Sequence, residues 1–373
     1  MFQVRGFNNT AMGRIGLKVG RTEKGAGSMK KVVLSVVAAL AVSAAAPAFA
    51  ADLAVKAPPV AAPAAAPSPW DIAFGAAIMS DYIFRGISQS NLKPSVAAYF
   101  EPRYNITKDL QLYAGMSGES ISFTNRAAAE IDFYGGVRPT FGPIALDLGF
   151  WYYYYPGGQC IGFGPPTATT PAGPCGATQD VLTNGNVSKS NVSFWEVYFK
   201  PTWNVNDSWA IGGNVYYTDS FLNSGAWGTY ASGTAKFTAP ANMAFGPFGW
   251  YVSGEFGHQW FGTTDAFYGI PAGTTIGLGP ATTTGIYANG IPYKSYNTWN
   301  VGLGLTWKVF TLDLRYSGTD LNKGDCNAFT SDFSATGFTN VTAINPSGAG
   351  SNWCGNTFIA KLAADLTLGS NLK

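Results

Sequence analysis

Charge is scarce in this 373-residue chain: 12% of its residues are Asp, Glu, Lys or Arg, against about 25% in an ordinary soluble domain. The formal net charge is +2 and no basic cluster stands out. That excludes nucleic acid as a partner, because holding a polyanion requires concentrated Lys and Arg. Histidine occurs once, as His258, and the four cysteines lie in two pairs spaced 15 and 28 residues apart. Such spacings match no zinc motif, so no metal or cofactor is expected. Beyond the leader-like segment described below, no apolar run approaches the roughly 18 residues of a membrane-crossing helix. Abundant instead are aromatics (Trp 11, Tyr 19, Phe 25) and Gly 46.

One stretch shows what the aromatics are for. In FGPIALDLGFWYYYYPGG, residues 141–158, Ile144, Leu146, Leu148 and Phe150 alternate with Ala145, Asp147 and Gly149. Period-two alternation marks a strand with different surroundings on its two faces. The aromatic block Trp151 to Tyr155 follows on both faces, closed by Pro156-Gly157-Gly158. Rings with one apolar and one hydrogen-bonding end concentrate at the depth of lipid headgroups. The stretch therefore reads as one membrane-spanning strand with its interfacial belt.

The N-terminal region reads as a series of segments. Residues 1–28 carry no hydrophobic period and read as an upstream extension outside the mature protein. Residues 29–50 have the form of a secretory signal peptide: Lys30-Lys31, an apolar core from Val32 to Val42, and an Ala48-Phe49-Ala50 exit. Residues 51–69 are rich in Ala and Pro, an extended linker. Residues 70–373 form the remaining segment.

That segment contains twelve alternating stretches: 70–84, 94–106, 110–123, 128–141, 144–156, 191–205, 209–221, 229–240, 250–261, 296–308, 310–321 and 356–368. About 9–11 tilted residues cross an outer membrane, so each is long enough. The fold expected is all-β: a transmembrane, antiparallel, up-and-down barrel of twelve strands in the outer membrane of a Gram-negative bacterium, with lipid as its partner outside. Short turns fall at Thr107–Asp109, Gly142–Pro143, Asn206–Ser208 and Val309. The three longest links, 157–190, 262–295 and 322–355, all fall at the opposite end, as extracellular loops should. The link 241–249 is longer than a periplasmic turn needs to be. An even cysteine count in an exported chain argues for two disulfides. Of three connectivities, pairing Cys160 with Cys175 and Cys326 with Cys354 is the simplest.

Charges fall consistently opposite the apolar face. Glu101 and Arg103, Glu130, Asp132 and Arg138, Asp147, Glu196 and Lys200, Asp313 and Arg315, and Lys361 and Asp365 all oppose large apolar neighbours. Placing Lys or Arg at mid-depth on a lipid face costs about 2–4 kcal/mol, so these twelve residues are expected to line a hydrated pore. Glu119 joins the inward acids, which outnumber the bases and suggest weak cation preference. Inward Tyr99, Tyr113, Tyr134 and Tyr216 could fill the bore and leave the barrel non-conducting, a structural or adhesion-type protein. Catalysis is not expected. His258 has no Ser two residues on and falls on the lipid side near the rim. Glu130 and Asp132 lie on one strand face but suit a solvated lumen better than a glycosidase pair. Gly302-Leu303-Gly304 sits mid-strand with no helix after it, unlike a phosphate loop.

The segment Trp70–Asn91, with its core Ser80-Asp81-Tyr82-Ile83-Phe84-Arg85-Gly86-Ile87-Ser88-Gln89, resembles the opening of the TorF-type porin family. Further matches fall at Tyr154-Tyr155-Pro156-Gly157, Glu196-Val197-Tyr198, Gly257-His258-Gln259, Thr319-Asp320-Leu321, Asp325-Cys326 and Cys354, in family order. The resemblance implies an outer-membrane barrel of porin type, here with enlarged loops, an extra Cys160 and Cys175, and a C-terminus lacking the usual final aromatic. Within the motif, Arg85 with Asp81 on the same face is the candidate for a constriction, or for a salt bridge locking the first strand to its loop. Together these readings anticipate a channel for passive diffusion of small hydrophilic solutes.

Overall fold

Every wall strand pairs antiparallel with its sequence neighbour, and the last pairs with the first, so the sheet has no free edge. Closure satisfies all the wall's backbone N–H and C=O groups, as a bilayer demands. The computed structural model describes residues 69–162, 175–176, 180–270 and 287–371. The extension, the signal segment and nearly all of the linker lie outside the described residues. The twelve strands are β1 (Trp70–Met79), β2 (Ser95–Thr107), β3 (Leu110–Glu119), β4 (Glu130–Phe141), β5 (Ile144–Tyr154), β6 (Phe194–Asn204), β7 (Trp209–Thr218), β8 (Gly228–Thr238), β9 (Gly249–Phe261), β10 (Tyr296–Trp307), β11 (Phe310–Thr319) and β12 (Thr357–Thr367). The β1–β12 seam runs from Ala73 opposite Thr367 to Met79 opposite Lys361.

The outside of the barrel is apolar. Val96 and Phe100 on β2, Leu148 and Phe150 on β5, Leu312 and Leu314 on β11 and Leu362 on β12 are all exposed. Aromatics mark both rims: Trp70, Phe141, Trp203, Trp209 and Trp307 near the short turns, Tyr154, Trp260 and Phe358 at the other end. Inward glycines face tyrosines of neighbouring strands. A Cβ at Gly149 would lie 2.4 Å from the Tyr198 hydroxyl, and one at Gly257 2.5 Å from that of Tyr230. Gly302 and Gly304 make room in the same way for Arg315 and Tyr251, so the mid-strand glycines are a packing device. In the link 239–248, the chain makes a 3-10 turn at Ala241–Met243 and a tight bridge between Phe245 and Phe248.

Two expectations need correction. The first strand ends at Met79, not at residue 84, because Asp81 pulls the chain inward: its Oδ1 accepts from the Ser88 hydroxyl (2.7 Å) and the Ser90 hydroxyl (2.8 Å). And the block Trp151–Tyr155 is only half a belt. Tyr152 and Tyr154 face out, whereas Trp151, Tyr153 and Tyr155 face in, and the last two are buried.

The buried apolar core lies above the barrel. The extracellular connections meet over the mouth around Phe329, which sits on helix α1 (Lys323–Thr330). Its ring lies 4.8 Å from Phe261, 5.2 Å from Tyr293 and 5.8 Å from Phe221. Asn322 caps the helix by accepting from the Asp325 N–H (2.8 Å), and the Cys326–Cys354 disulfide ties it to the loop's return. Cys160 pairs with Cys175, as sequential pairing anticipates. Polar clasps join the loops: Asn186 Nδ2 donates to Asn327 Oδ1 (2.7 Å), and Lys189 pairs with Asp265.

Candidate functional site

Residues 80–94 do not rise away from the membrane after β1; they fold back into the bore. Ile83–Phe84 and Ile87–Ser88 form a miniature hairpin joined by Arg85 and Gly86, with φ of 47° and 80°. Two successive positive φ values make the tight turn whose twist suits a hairpin. Gly86 is needed there twice over: beyond its φ, an added Cβ would meet Thr319 Cγ2 at 2.5 Å and Thr298 Oγ1 at 2.6 Å.

The turn delivers Arg85 to the opposite wall. Its Nη2 donates to Glu196 Oε2 (2.7 Å), and Nη1 donates to Glu196 Oε1 (2.9 Å) and Gln259 Oε1 (2.9 Å). The guanidinium lies over the rings of Tyr216 (4.8 Å), Tyr230 (4.6 Å) and Phe84 (4.6 Å). Tyr153 donates to Glu196, and Tyr296 donates to the Arg85 carbonyl. Arg85 thus touches every strand from β6 to β10, and Tyr153 on β5 joins through Glu196. The Arg85 and Glu196 side chains are 6% and 1% exposed. Burial works against the Arg85 charge, but Glu196 outweighs it and lifts the guanidinium pKa further. The partner of Arg85 is therefore Glu196, not Asp81 beside it.

Tyr82, near the start of the hairpin, donates to Glu130 Oε1 (2.6 Å), and Tyr155 donates to Glu130 Oε2 (2.9 Å). The segment is also tied to the cap, through Ser88 N to the Trp353 carbonyl (2.9 Å) and Trp353 Nε1 to Asn91 Oδ1 (2.8 Å). It is a plug held from both sides.

Of the twelve residues assigned to the pore, all face inward, but Glu101, Glu130, Asp132 and Glu196 are buried rather than bathed in water. On one wall Arg138 donates to Glu101 (2.8 Å) and Asp147 (3.2 Å) and stacks on Tyr113. Arg103 pairs with Glu101, and Lys200 approaches Asp147 at 3.8 Å. Across the bore, Arg315 chelates Asp313 and reaches Asn300 and Ser253, while Tyr99 donates to Asp365 (3.0 Å). Lys361 lines a cavity of about 530 Å³ with Asp313, Arg315 and Asp365. A second cavity, of about 460 Å³, opens beside Arg138, Asp147 and Lys200. His258 faces outward at the rim, its ring 4.5 Å from Trp260 and its Nδ1 2.7 Å from Asn297 Oδ1.

An apolar belt outside, charges inside and a closed antiparallel wall together settle the setting. This chain is a bacterial outer-membrane β-barrel. Residues 63–167 match a family model described as a bacterial protein of unknown function (Gcw_chp). No curated protein matches the sequence. Similar solved structures include the COG4313 outer membrane channel from Pseudomonas putida F1, at 12% identity and a TM-score of 0.38, over 81% of this chain and 97% of that one. The NanC porin aligns at 8% identity and a TM-score of 0.34, over 80% and 100%. LpxR from Salmonella typhimurium aligns at 9% and 0.32, over 80% and 99%. The barrel assignment stands on the strand topology and does not draw on these likenesses.

Sequence reasoning missed Tyr82 as an anchor of the plug, and Tyr153, Tyr155, Tyr230 and Gln259 as wall residues gathered around Arg85, Glu196 and Glu130. Their partners lie from 25 to 174 residues away in sequence, beyond the reach of any local pattern.

Proposed function

We propose that the barrel is a gated channel for small hydrophilic solutes, in which the hairpin 83–88 is the constriction. The observation that carries this is the Arg85–Glu196–Gln259 clasp, a polar latch across an otherwise hydrated bore. A permanent plug would do better with apolar packing, since a buried ion pair offers little net stability over hydrophobic residues of equal volume. An ion pair can part when solvent or solute supplies alternative partners. Charged walls above the periplasmic turns supply selectivity, with weak cation preference from the inward acids. The resemblance to TorF-type porins supports the same reading.

Planar-bilayer recording tests it. The wild-type barrel should show small, infrequent openings, and Arg85→Ala should raise the conductance several-fold by freeing the latch. Gly86→Ala should do the same by expelling the turn. A wild type and both variants all silent at every voltage would overturn the channel reading. They would favour a closed barrel serving adhesion or envelope structure through its loops. The ring-packed cap around Phe329 is the observation that favours this second reading.

A further inference from the structure

Most inward carboxylates pair with a cation or a tyrosine, but in one group none lies within ion-pair distance of a cation, Lys361 acting on Glu119 only from further away. Glu119, Glu130 and Asp132 place carboxylate oxygens within 4.8 Å of one another. Strand register brings them together: Glu119 stands directly opposite Glu130, and Asp132 opposite Ser117. Like charges directly opposite in a ladder repel. Among the described residues, no Lys or Arg forms an ion pair with any of the three. Glu130 receives the Tyr82 and Tyr155 hydroxyls. Asp132 is 3% exposed; its Oδ2 accepts from Ser117 (3.2 Å) while its Oδ1 is buried without a hydrogen-bond partner, as is Glu119 Oε2. Glu119 and Asp132 also border a cavity of about 520 Å³ inside the bore, through which an ion can reach them.

A buried carboxylate oxygen with no donor is costly unless something positive faces it. We propose that Glu119, Glu130 and Asp132 form a binding site for a hard divalent cation of the calcium class, inside the barrel beneath the plug. Such ions take carboxylate oxygens in flexible geometry, and sites of modest affinity suit the millimolar concentrations outside cells. Tyr82 hydrogen-bonds to Glu130 from the plug, so the ion would sit one residue from the gate's anchor and hold the hairpin to the wall. The site does not depend on the channel reading, because binding is measured without conduction.

The test uses detergent-refolded full-length barrel stripped with a chelator, and terbium as the probe. Terbium held there should luminesce when excited through the nearby Trp151, Tyr82 and Tyr155 rings, saturably, and calcium should displace it. Calcium should also raise the unfolding temperature of the wild type. Asp132→Asn and Glu119→Gln should each weaken the apparent affinity at least about tenfold, having lost a charged ligand. The proposal falls if the wild type gives neither sensitised luminescence nor a calcium-dependent shift. It falls equally if both variants bind as the wild type does. A third result also overturns it: Asp132→Asn more stable than a wild type that ignores calcium, which would mean the three acids share protons instead.

Discussion

Asp81 is the residue on which the inward course of the chain depends. It is 4% exposed, its Oδ1 serves two serine hydroxyls, and its Oδ2 has no partner. Burial raises its carboxyl above the usual aspartate range, and the hydrogen bonds from Ser88 and Ser90 only partly offset that. The sign follows from linkage. A folded-state acid with a raised pKa binds more protons than the unfolded chain, so its contribution to stability falls as pH rises. The window opens near pH 4, the ordinary aspartate value, and extends upward to the raised one. The plug should therefore loosen across this window. Asp81→Asn, which keeps the acceptor oxygen and cannot ionise, should flatten that part of the pH profile. Proteolysis of the 80–94 segment, compared between wild type and variant at each pH, reads it directly. Identical profiles would show that Asp81 does not set the plug's hold.

The elements differ in how much of them the sequence could reveal. Wall strands were legible because alternation is a local property. Leu312, Leu314 and Arg315 declare their faces within four residues, and β10 and β11 agree with expectation to within two residues at either end. The hairpin was not legible as a plug. Ile83-Phe84 read as the end of the first strand and Ile87-Ser88 as part of the link after it, and Arg-Gly is not the Asn-Gly signal of a tight hairpin turn. Its destination is set by Glu196 and Gln259, 111 and 174 residues downstream. The cap was legible as long loops but not as a packed layer, since Phe329, Phe261 and Phe221 meet only in three dimensions. The two disulfides differ accordingly. Cys326 and Cys354 are buried in that layer, and Trp353, beside Cys354, bonds to Ser88 and Asn91 of the plug. Replacing both by Ser should cost about 2–4 kcal/mol and raise the opening frequency in bilayers. The matching Cys160, Cys175 double variant should leave gating as it was, because that disulfide joins two positions 15 residues apart within the 157–190 link and so closes that link on itself. Equal effects from the two pairs would refute a link between cap and plug.

At the scale of the whole molecule, the apolar side is on the outside, and its usual interior is replaced by paired charge. Leu314 is 46% exposed on β11 although it is a large aliphatic residue, and its neighbour Arg315 is turned inward to Asp313 and Asn300. Reversed polarity follows from the solvent: lipid outside asks for no hydrogen bonds, and a hydrated bore allows charge. Leu314→Arg should therefore destabilise the barrel in vesicles by about 2–4 kcal/mol, the cost of a basic residue at mid-depth on the lipid face. Ala363→Arg is the matched control. Ala363 borders the cavity lined by Asp313 and Asp365, so the same guanidinium there meets water and carboxylates and should cost little. Denaturant titration of both variants refolded into vesicles makes the comparison. A water-soluble sandwich with the same alternation predicts the opposite ranking, because its exposed face would accept the arginine and its interior would reject it.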